Sequence, residues 1–262
     1  MKYGSCTMVF GEMKLSAIID VVASLGFDGF EADVPDIEKT YGGAKRFMDV
    51  LRQKDLALAA SYLGADYHDV TQHPRIEQEA LRWAEFLATV ESKNIVIGPP
   101  SRFSGLAEKH IRNMAQILNR IGKSTLDLDV RIGVHNHYGG IVESRREIDL
   151  LMEFTDAEYV GFAPDTGHLA ISGCDVRQTF EDYADRINYI HLKDAIRPGE
   201  FVPRNEGWVD RFRDPGKGEI DFPPLMKIVK SAGYDGWITY EQDYSPRPME
   251  SVKIAKEYID SR

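Results

Sequence analysis

Apolar and polar positions along the chain follow two alternating patterns. Short runs of β-type residues are separated by longer segments in which apolar residues recur every three or four positions, the spacing of one helix face. An alternation of this kind predicts repeated βαβ units around a parallel sheet. The helical stripes are Leu15, Ile18, Ile19 and Val22; Ile76, Ala80, Trp83, Ala84 and Leu87; and Ile111, Met114, Ala115, Leu118 and Ile121.

The pattern contains eight strand-like runs in 262 residues. This number of strands and this length are typical of a (β/α)8 barrel. No composition break, charge block or low-complexity stretch marks a linker. We therefore predict an α/β protein with a single (β/α)8 TIM barrel domain over residues 1–262. The predicted strands cover residues 3–9, 29–33, 56–63, 95–98, 131–136, 159–163, 187–192 and 237–241.

One predicted connection is much longer than the others. Residues 195–219 follow the seventh strand and are rich in Arg, Asp, Pro and Gly. Loops that follow the strands build the active face of a barrel, and a loop of this length is commonly a lid. A variable surface loop without a chemical role is the alternative.

Composition narrows the function classes. The net charge of −10 argues against a nucleic-acid partner, which needs clustered Lys and Arg. No run approaches about 18 apolar residues, and no basic stretch leads into an apolar one at the start, so we expect a cytoplasmic protein without membrane contact. The only cysteines, Cys6 and Cys174, are expected to be reduced thiols. The oligomeric state stays open, a homo-oligomer included.

Ligand-type side chains follow four consecutive predicted strands. His135 ends the fifth, Asp165 follows the sixth, His191 lies in the seventh and Glu241 ends the eighth. The carboxyl ends of neighbouring barrel strands converge on one arc of the rim. Imidazole and carboxylate ligands together suit Zn, Mn, Co or Fe. The sequence therefore predicts one divalent metal site at this arc.

Three further polar residues accompany these ligands. His137 lies two residues beyond His135, on the same side of an extended chain, and is a residue that orients a metal ligand, a proton donor or a structural hydrogen-bonding group. His168, three residues beyond Asp165, is placed to orient or protonate a substrate. Lys193 is expected either to bind a substrate oxygen or to pair with a carboxylate.

Several motifs at these strand ends resemble those of a known family. They are VHNHYGG, PDTGHLAISG, INYIHLKD, GKGEIDF and AGYDGWITYEQD, in this order along the chain. They resemble the sugar phosphate isomerase/epimerase superfamily, which has the xylose isomerase-like TIM barrel, and within it are most similar to the inosose dehydratases. The detailed resemblance covers about the C-terminal half, and GFDGFEADV extends it to the N-terminal half.

The resemblance implies a metal site and a set of substrate contacts. Superfamily members hold one divalent ion, often Mn or Co, and Mn is the ion expected here, with Co, Zn and Mg as alternatives. His168 and Arg197 are implied to contact substrate oxygens, and Glu31 either faces the same pocket or forms a salt bridge at the rim. The implied metal ligands are His135, Asp165, His191 and Glu241.

The fifth strand departs from the pattern of many epimerases of the superfamily. Those enzymes carry Glu where this chain has His135, and they use two metal-bound carboxylates on opposite faces of the substrate. Inosose dehydratases carry a histidine-rich stretch there, so the departure favours elimination. It also leaves open whether His135 or His137 is the ligand.

The expected function is that of a metal-dependent lyase acting on a small keto-cyclitol or 3-keto-sugar, such as an inosose. Glu241 or a nearby histidine would take the proton next to the ketone, and His168 or His137 would supply the acid. Lys193 is a further candidate for catalysis or substrate binding. The alternatives are a metal-dependent isomerase or epimerase acting on a ketose, an endonuclease at abasic DNA, which the acidic charge disfavours, and a non-catalytic sugar sensor.

Overall fold

Eight parallel strands form the central sheet of the protein. A computed structural model describes residues 1–196 and 211–262. The sheet has the order β6-β5-β4-β3-β2-β1-β8-β7. Strands that follow one another along the chain therefore lie side by side, and the first strand pairs with the last, as in a closed barrel. The strands are β1 (Lys2–Cys6), β2 (Gly29–Glu31), β3 (Ala57–Gly64), β4 (Asn94–Gly98), β5 (Arg131–His135), β6 (Val160–Ala163), β7 (Ile190–Leu192) and β8 (Trp237–Tyr240).

The ring closes between β6 and β7. Parallel bridges join Phe162 to Ile187 and Asp165 to His191, and the His191 N–H donates to the Pro164 carbonyl at 3.0 Å. The predicted (β/α)8 barrel and its eight strands are confirmed. The first strand is shorter than predicted, because after Cys6 the chain turns into the 3-10 helix Met8–Phe10.

Helices cover the outside of the barrel. The three predicted apolar stripes lie on α1, α4 and α5 and pack into the main hydrophobic core, as predicted. No helix in the described part of the chain is both long and apolar enough to cross a membrane. Residues 1–196 and 211–262 contain α1 (Leu15–Ser24), α2 (Val34–Tyr41), α3 (Ala44–Lys54), α4 (His73–Thr89), α5 (Glu108–Leu126), α6 (Arg145–Phe154), α7 (Thr166–Ile171), α8 (Val176–Tyr183), α9 (Phe222–Ser231) and α10 (Pro248–Asp260).

A second, smaller core fills the inside of the barrel below the rim. In it, the buried Tyr189 hydroxyl lies 2.6 Å from Thr239 Oγ1, so its polar end is satisfied. The buried members of this cluster are Ala59, Ala60, Val96, Ala163, Tyr189 and Trp237.

The Asp194 carboxylate anchors the long connection after β7. It accepts the backbone N–H groups of Ala195, Gly216, Gly218 and Ile220 at 2.8–3.1 Å. A Cβ atom on Gly218 would lie 2.2 Å from Asp194 Oδ1, which explains the second glycine of GKGEIDF. The motif is thus a structural clasp at the base of the loop. Residues 197–210 of the predicted lid lie outside the described residues, so its role as a lid stays a prediction.

Candidate active site

Four predicted site residues converge at the carboxyl ends of β5, β6 and β8. His135, Asp165, His168 and Glu241 each offer a ligand atom, and these atoms all lie within 4.8 Å of one another. All four side chains are buried. A second, overlapping group within this distance consists of His135, His137 and His168. The two imidazoles of the fifth-strand motif therefore face the same centre, as their spacing predicts.

Asp165 presents a carboxylate oxygen suited to a metal ion. Its Oδ1 accepts the His168 N–H at 2.6 Å and caps the start of α7. The Asn136 amide bonds to both the backbone N–H and the carbonyl of Asp165, which fixes the chain there. Among the described residues Oδ2 makes no hydrogen bond, and it lies 3.4 Å from Lys193 Nζ. A buried acceptor without a hydrogen bond among imidazole and carboxylate donors fits a divalent metal ion.

His191 lies beside this group and outside the two 4.8 Å sets. Its Nε2 lies 2.9 Å from Glu31 Oε2, while Nδ1 lies 3.0 Å from both His135 Nδ1 and Glu241 Oε2. Glu31 therefore reaches the centre through His191, in the manner of a carboxylate that orients a metal-ligating histidine. The role of His191 as a ligand stays a prediction.

Lys193 is fully buried among carboxylates. Its Nζ lies 2.7 Å from Glu241 Oε1 and 2.9 Å from Asp243 Oδ1, in addition to its contact with Asp165. Of the two roles predicted for this lysine, the structure shows the pairing with carboxylates. The sequence analysis missed Asp243, although its place two residues after Glu241 puts both on one side of an extended chain.

The charges of the centre are mutually dependent. Burial opposes charge on His191, but Glu241 and Glu31 hold its pKa well above the ordinary value. Burial likewise opposes the charge on Lys193, whose pKa is raised by Asp165 and Glu241. Burial would raise the pKa of Glu241, yet His191 and Lys193 keep it well below the usual range. The pKa of Asp165 is raised by burial, and Lys193 opposes this rise.

Three histidines of the centre are held neutral. Burial lowers the pKa of His135, His137 and His168, and positive neighbours lower it further. For His135 that neighbour is His191, and for the other two it is Lys193. Neutral imidazoles can serve as metal ligands, bases or hydrogen-bond donors.

Backbone contacts assign a tautomer to His137. His137 Nδ1 lies 2.7 Å from the Tyr138 carbonyl, which can only accept, so Nδ1 carries the proton and Nε2 the lone pair. His168 Nδ1 accepts the Tyr138 N–H at 3.2 Å, and His168 Nε2 lies 3.1 Å from the Lys193 ammonium, which can only donate, so both nitrogens of His168 face donors. His137 is therefore equipped as a base, while His168 is in contact with Tyr138 and Lys193.

An ion-pair clamp, missed by the sequence analysis, holds the loop that carries His137. The Arg102 guanidinium lies 3.0 Å from the Glu143 carboxylate and 2.6 Å from that of Glu147. The backbone N–H of Arg102 donates to the Gly139 carbonyl at 2.7 Å. The clamp joins the loops after β4 and β5. Of the predicted site residues, Arg197 lies outside the described residues, so its contact with substrate stays a prediction.

The barrel and the ligand-type residues at its rim define a class of protein. The chain belongs to the xylose isomerase-like TIM barrel family, whose profile matches residues 19–261. The inosose dehydratase of Lacticaseibacillus casei is 31% identical over 278 aligned residues, which cover 95% of this chain and 90% of that protein.

Solved structures share the fold at low sequence identity. The IOLI protein, crystallised with a bound zinc atom, has a TM-score of 0.83 and 16% identity, with 100% of this chain and 97% of that chain covered. The probable 3-DHS dehydratase AsbF from Bacillus anthracis has a TM-score of 0.83 and 14% identity, with both chains covered fully. These likenesses show that the barrel is shared over its whole length.

Proposed function

We propose that this protein is a divalent-metal-dependent lyase that removes water from a keto-cyclitol or 3-keto-sugar such as an inosose. The observation that carries the proposal is the convergence of His135, Asp165 and Glu241 next to a neutral histidine with a lone pair, His137. The similarity to an inosose dehydratase over 95% of the chain supports the same reaction class.

We assign the metal ion to His135, Asp165, His191 and Glu241, and binding of the ion would displace the proton that Glu31 and Glu241 favour on His191. His135 is preferred over His137 because His135 belongs to both converging groups and contacts His191. The family resemblance makes Mn the first choice of ion, with Co, Zn and Mg as alternatives, and imidazole and carboxylate donors suit Co and Zn as well. When bound, the ion would polarise the ketone and make the neighbouring C–H bond more acidic.

We assign the proton transfer to His137. Its Nε2 lone pair would accept the proton from the carbon next to the ketone, whereas the low pKa of Glu241 makes that carboxylate a weak base. The C–H electron pair becomes the new C=C bond as the β-carbon to oxygen bond breaks. The departing hydroxide takes the proton from His137 and leaves as water, so atoms and charge balance.

Lys193 and His168 would act together on the oxygens of the substrate. His168 Nε2 lies 3.1 Å from Lys193 Nζ and would help to position that ammonium, and a direct contact of His168 with substrate remains a prediction. The Lys193 ammonium would stabilise negative charge that develops on the ketone oxygen. Glu31 orients His191 in this proposal, and direct contacts of Glu31 and Arg197 with substrate remain predictions.

A deuterium experiment tests the reaction type. The metal-loaded protein is incubated with keto-inositols and 3-keto-sugars in deuterated water, and products are followed by NMR and mass spectrometry. Dehydration predicts loss of the mass of one water. A stereoisomer that has gained deuterium without losing water would replace the lyase by the epimerase alternative. Consumption of plain inositol without an oxidant would contradict both, because a polyol has no ketone to acidify its C–H bonds.

A further inference from the structure

A large cavity lies beside the centre and outside the machinery described above. It has a volume of about 620 Å³ and is formed by the carboxyl ends of β1, β2 and β3 together with α1 and α2. Ordinary small-molecule sites measure roughly 300–1,000 Å³, so this space is large enough for a ligand group of its own. The lining residues that matter most are Met8, Met13, Glu31, Asp33, Lys39 and Tyr62.

Two residues form a wall common to the cavity and the centre. Glu31 lines the cavity, and its Oε2 lies 2.9 Å from His191 Nε2. Tyr62 also lines it, and the Tyr62 ring lies 5.6 Å, edge to face, from the ring of His135. The cavity and the centre are therefore one side chain apart, and a substrate whose ketone lies at the centre would reach the cavity by passing Glu31 and Tyr62.

The charges of the lining residues determine which part of a substrate can bind in the cavity. Four carboxylates line the cavity, those of Glu12, Glu31, Asp33 and Asp36, against the single cation Lys39 among the described residues. This charge balance repels phosphate and other anions, while carboxylate oxygens readily accept hydrogen bonds from hydroxyl groups.

Two methionines and the carboxyl group of Asp33 also favour a neutral, hydroxyl-bearing ring. Met8 and Met13 offer thioether and methyl surface to the C–H face of a sugar ring. Burial and the neighbouring Glu31 raise the pKa of Asp33 to about 6, so hydroxyl donors would help to stabilise its charged form. Carboxylates beside apolar patches match a ring that carries hydroxyls on its edge.

We propose that this cavity is a subsite for a second, neutral, hydroxyl-bearing ring, so that the preferred substrate is a keto-sugar joined to another sugar. The subsite rests on the proposed function in one respect, because it requires the ketone-bearing ring to lie at the centre. It deepens that function by favouring a keto-disaccharide over a free keto-monosaccharide or a sugar phosphate.

Binding measurements test the subsite separately from turnover. The metal-loaded protein is titrated calorimetrically with 3-keto-trehalose, 3-keto-glucose and 3-keto-glucose 6-phosphate. We expect the disaccharide to bind at least tenfold more tightly than 3-keto-glucose, and the phosphate to bind no more tightly than it. Equal affinities, or tightest binding of the phosphate, would overturn the subsite whether or not any ligand is turned over.

A cavity-filling variant localises the effect. Met8→Trp should reduce the affinity ratio of disaccharide to monosaccharide at least tenfold, because Met8 lines the cavity and is 49% exposed, which leaves room for the larger ring. Val70→Trp is the matched control, since Val70 is 51% exposed and is not part of the described lining. A ratio unchanged in Met8→Trp would place the second ring elsewhere and contradict the proposal.

Turnover then reports on the proposed function alone. Tight disaccharide binding that depends on Met8, without consumption of any keto-sugar, would support the subsite and contradict the lyase. Turnover of both keto-sugars with equal affinity would support the lyase and contradict the subsite.

Discussion

The two halves of the barrel rim differ in how their polar groups are held. At the ends of β5 to β8, the charged side chains are fully buried and contact one another, as Lys193 does with Glu241 and Asp165. At the ends of β1 to β3, Met8, Glu12 and other groups line an open cavity separately. In the proposed function, the half at β5 to β8 carries out the reaction and the half at β1 to β3 recognises the substrate.

The physical reason is the cost of burying charge. An ion removed from water is tolerated only when partners and hydrogen bonds compensate it, so each buried charge at β5 to β8 depends on the others. Exposed groups that line the cavity, such as Met8, act almost independently, whereas Glu31 is buried and Asp33 is influenced by burial and by Glu31. Substitutions should therefore have large, coupled effects in the first half and smaller effects in the second, with the least coupling at the exposed positions.

The largest effect is expected from Asp165→Asn. The amide keeps the oxygen that accepts the His168 N–H but loses the charge that suits the metal ion. We expect loss of bound metal and a fall in turnover of about 10³-fold or more, measured by elemental analysis and kinetics. Asp175→Asn is the matched control, because Asp175 caps α8 through the same type of bond, to the Gln178 N–H at 3.0 Å. Full metal content in Asp165→Asn would contradict the site.

The different contacts of His137 and His168 predict effects of different size. His137→Gln removes the base and should reduce turnover by about 10²- to 10⁴-fold with metal retained. His168→Gln keeps an amide oxygen that can accept a hydrogen bond from the Lys193 ammonium, and it should cost roughly 10- to 100-fold in turnover. Steady-state kinetics and metal content of both variants provide the measurement. A larger loss in His168→Gln than in His137→Gln would reverse the assigned roles.

Removal of the Lys193 ammonium tests how strongly the buried charges of the centre depend on one another. In Lys193→Met the carboxylates of Glu241 and Asp243 lose their shared partner, so metal-free protein should lose about 3–5 kcal/mol of unfolding free energy. Added Mn should reduce this loss, since the ion compensates part of the same charge. Urea unfolding with and without Mn gives the answer. Lys256→Met, which breaks the pair with Asp260 at the surface, should cost below about 1 kcal/mol.

The smallest effect is expected on the cavity side, from Asp33→Asn. The folded-state pKa of Asp33 is about 6, against an ordinary value of 3.8, so folding favours the protonated carboxyl. The native protein should therefore lose stability as the pH rises from about 4 to 6, and the neutral variant should not.

We expect Asp33→Asn to be more stable than the native protein by roughly 2 kcal/mol at pH 8, with the difference closing near pH 4. Urea unfolding across this range measures it. A stability difference that does not change with pH would contradict burial of an ionised Asp33.

The sequence was sufficient for the barrel and for most of the centre. Strand and helix periods are local signals, and the convergence of His135, Asp165 and Glu241 follows from barrel topology alone. The tautomer of His137 could not be predicted, because it depends on which backbone group of Tyr138 lies beside the ring. The clamp of Arg102 to Glu143 and Glu147 joins segments more than 40 residues apart, and no periodicity signals such a pair.

The cavity likewise could not be predicted from the sequence. Its walls come from the turn after β1, from α2 and from Tyr62, and their separation in space depends on how those segments pack. The sequence leaves open whether Glu31 faces the pocket or forms a salt bridge at the rim, and the structure shows its contact with His191. The position of a residue at a strand end can thus be read from the sequence. A cavity between separate segments can be found only from the three-dimensional structure.

Anomalous scattering from crystals of Mn-loaded protein tests the central claim most directly. We predict one strong peak per chain at the carboxyl ends of β5 to β8, about 2.0–2.3 Å from an oxygen of Asp165, an oxygen of Glu241 and a nitrogen of His135. The His191 ring should border the same peak. No peak at the rim, or a single peak bound only by residues outside this group, would contradict the metal centre and the lyase built on it.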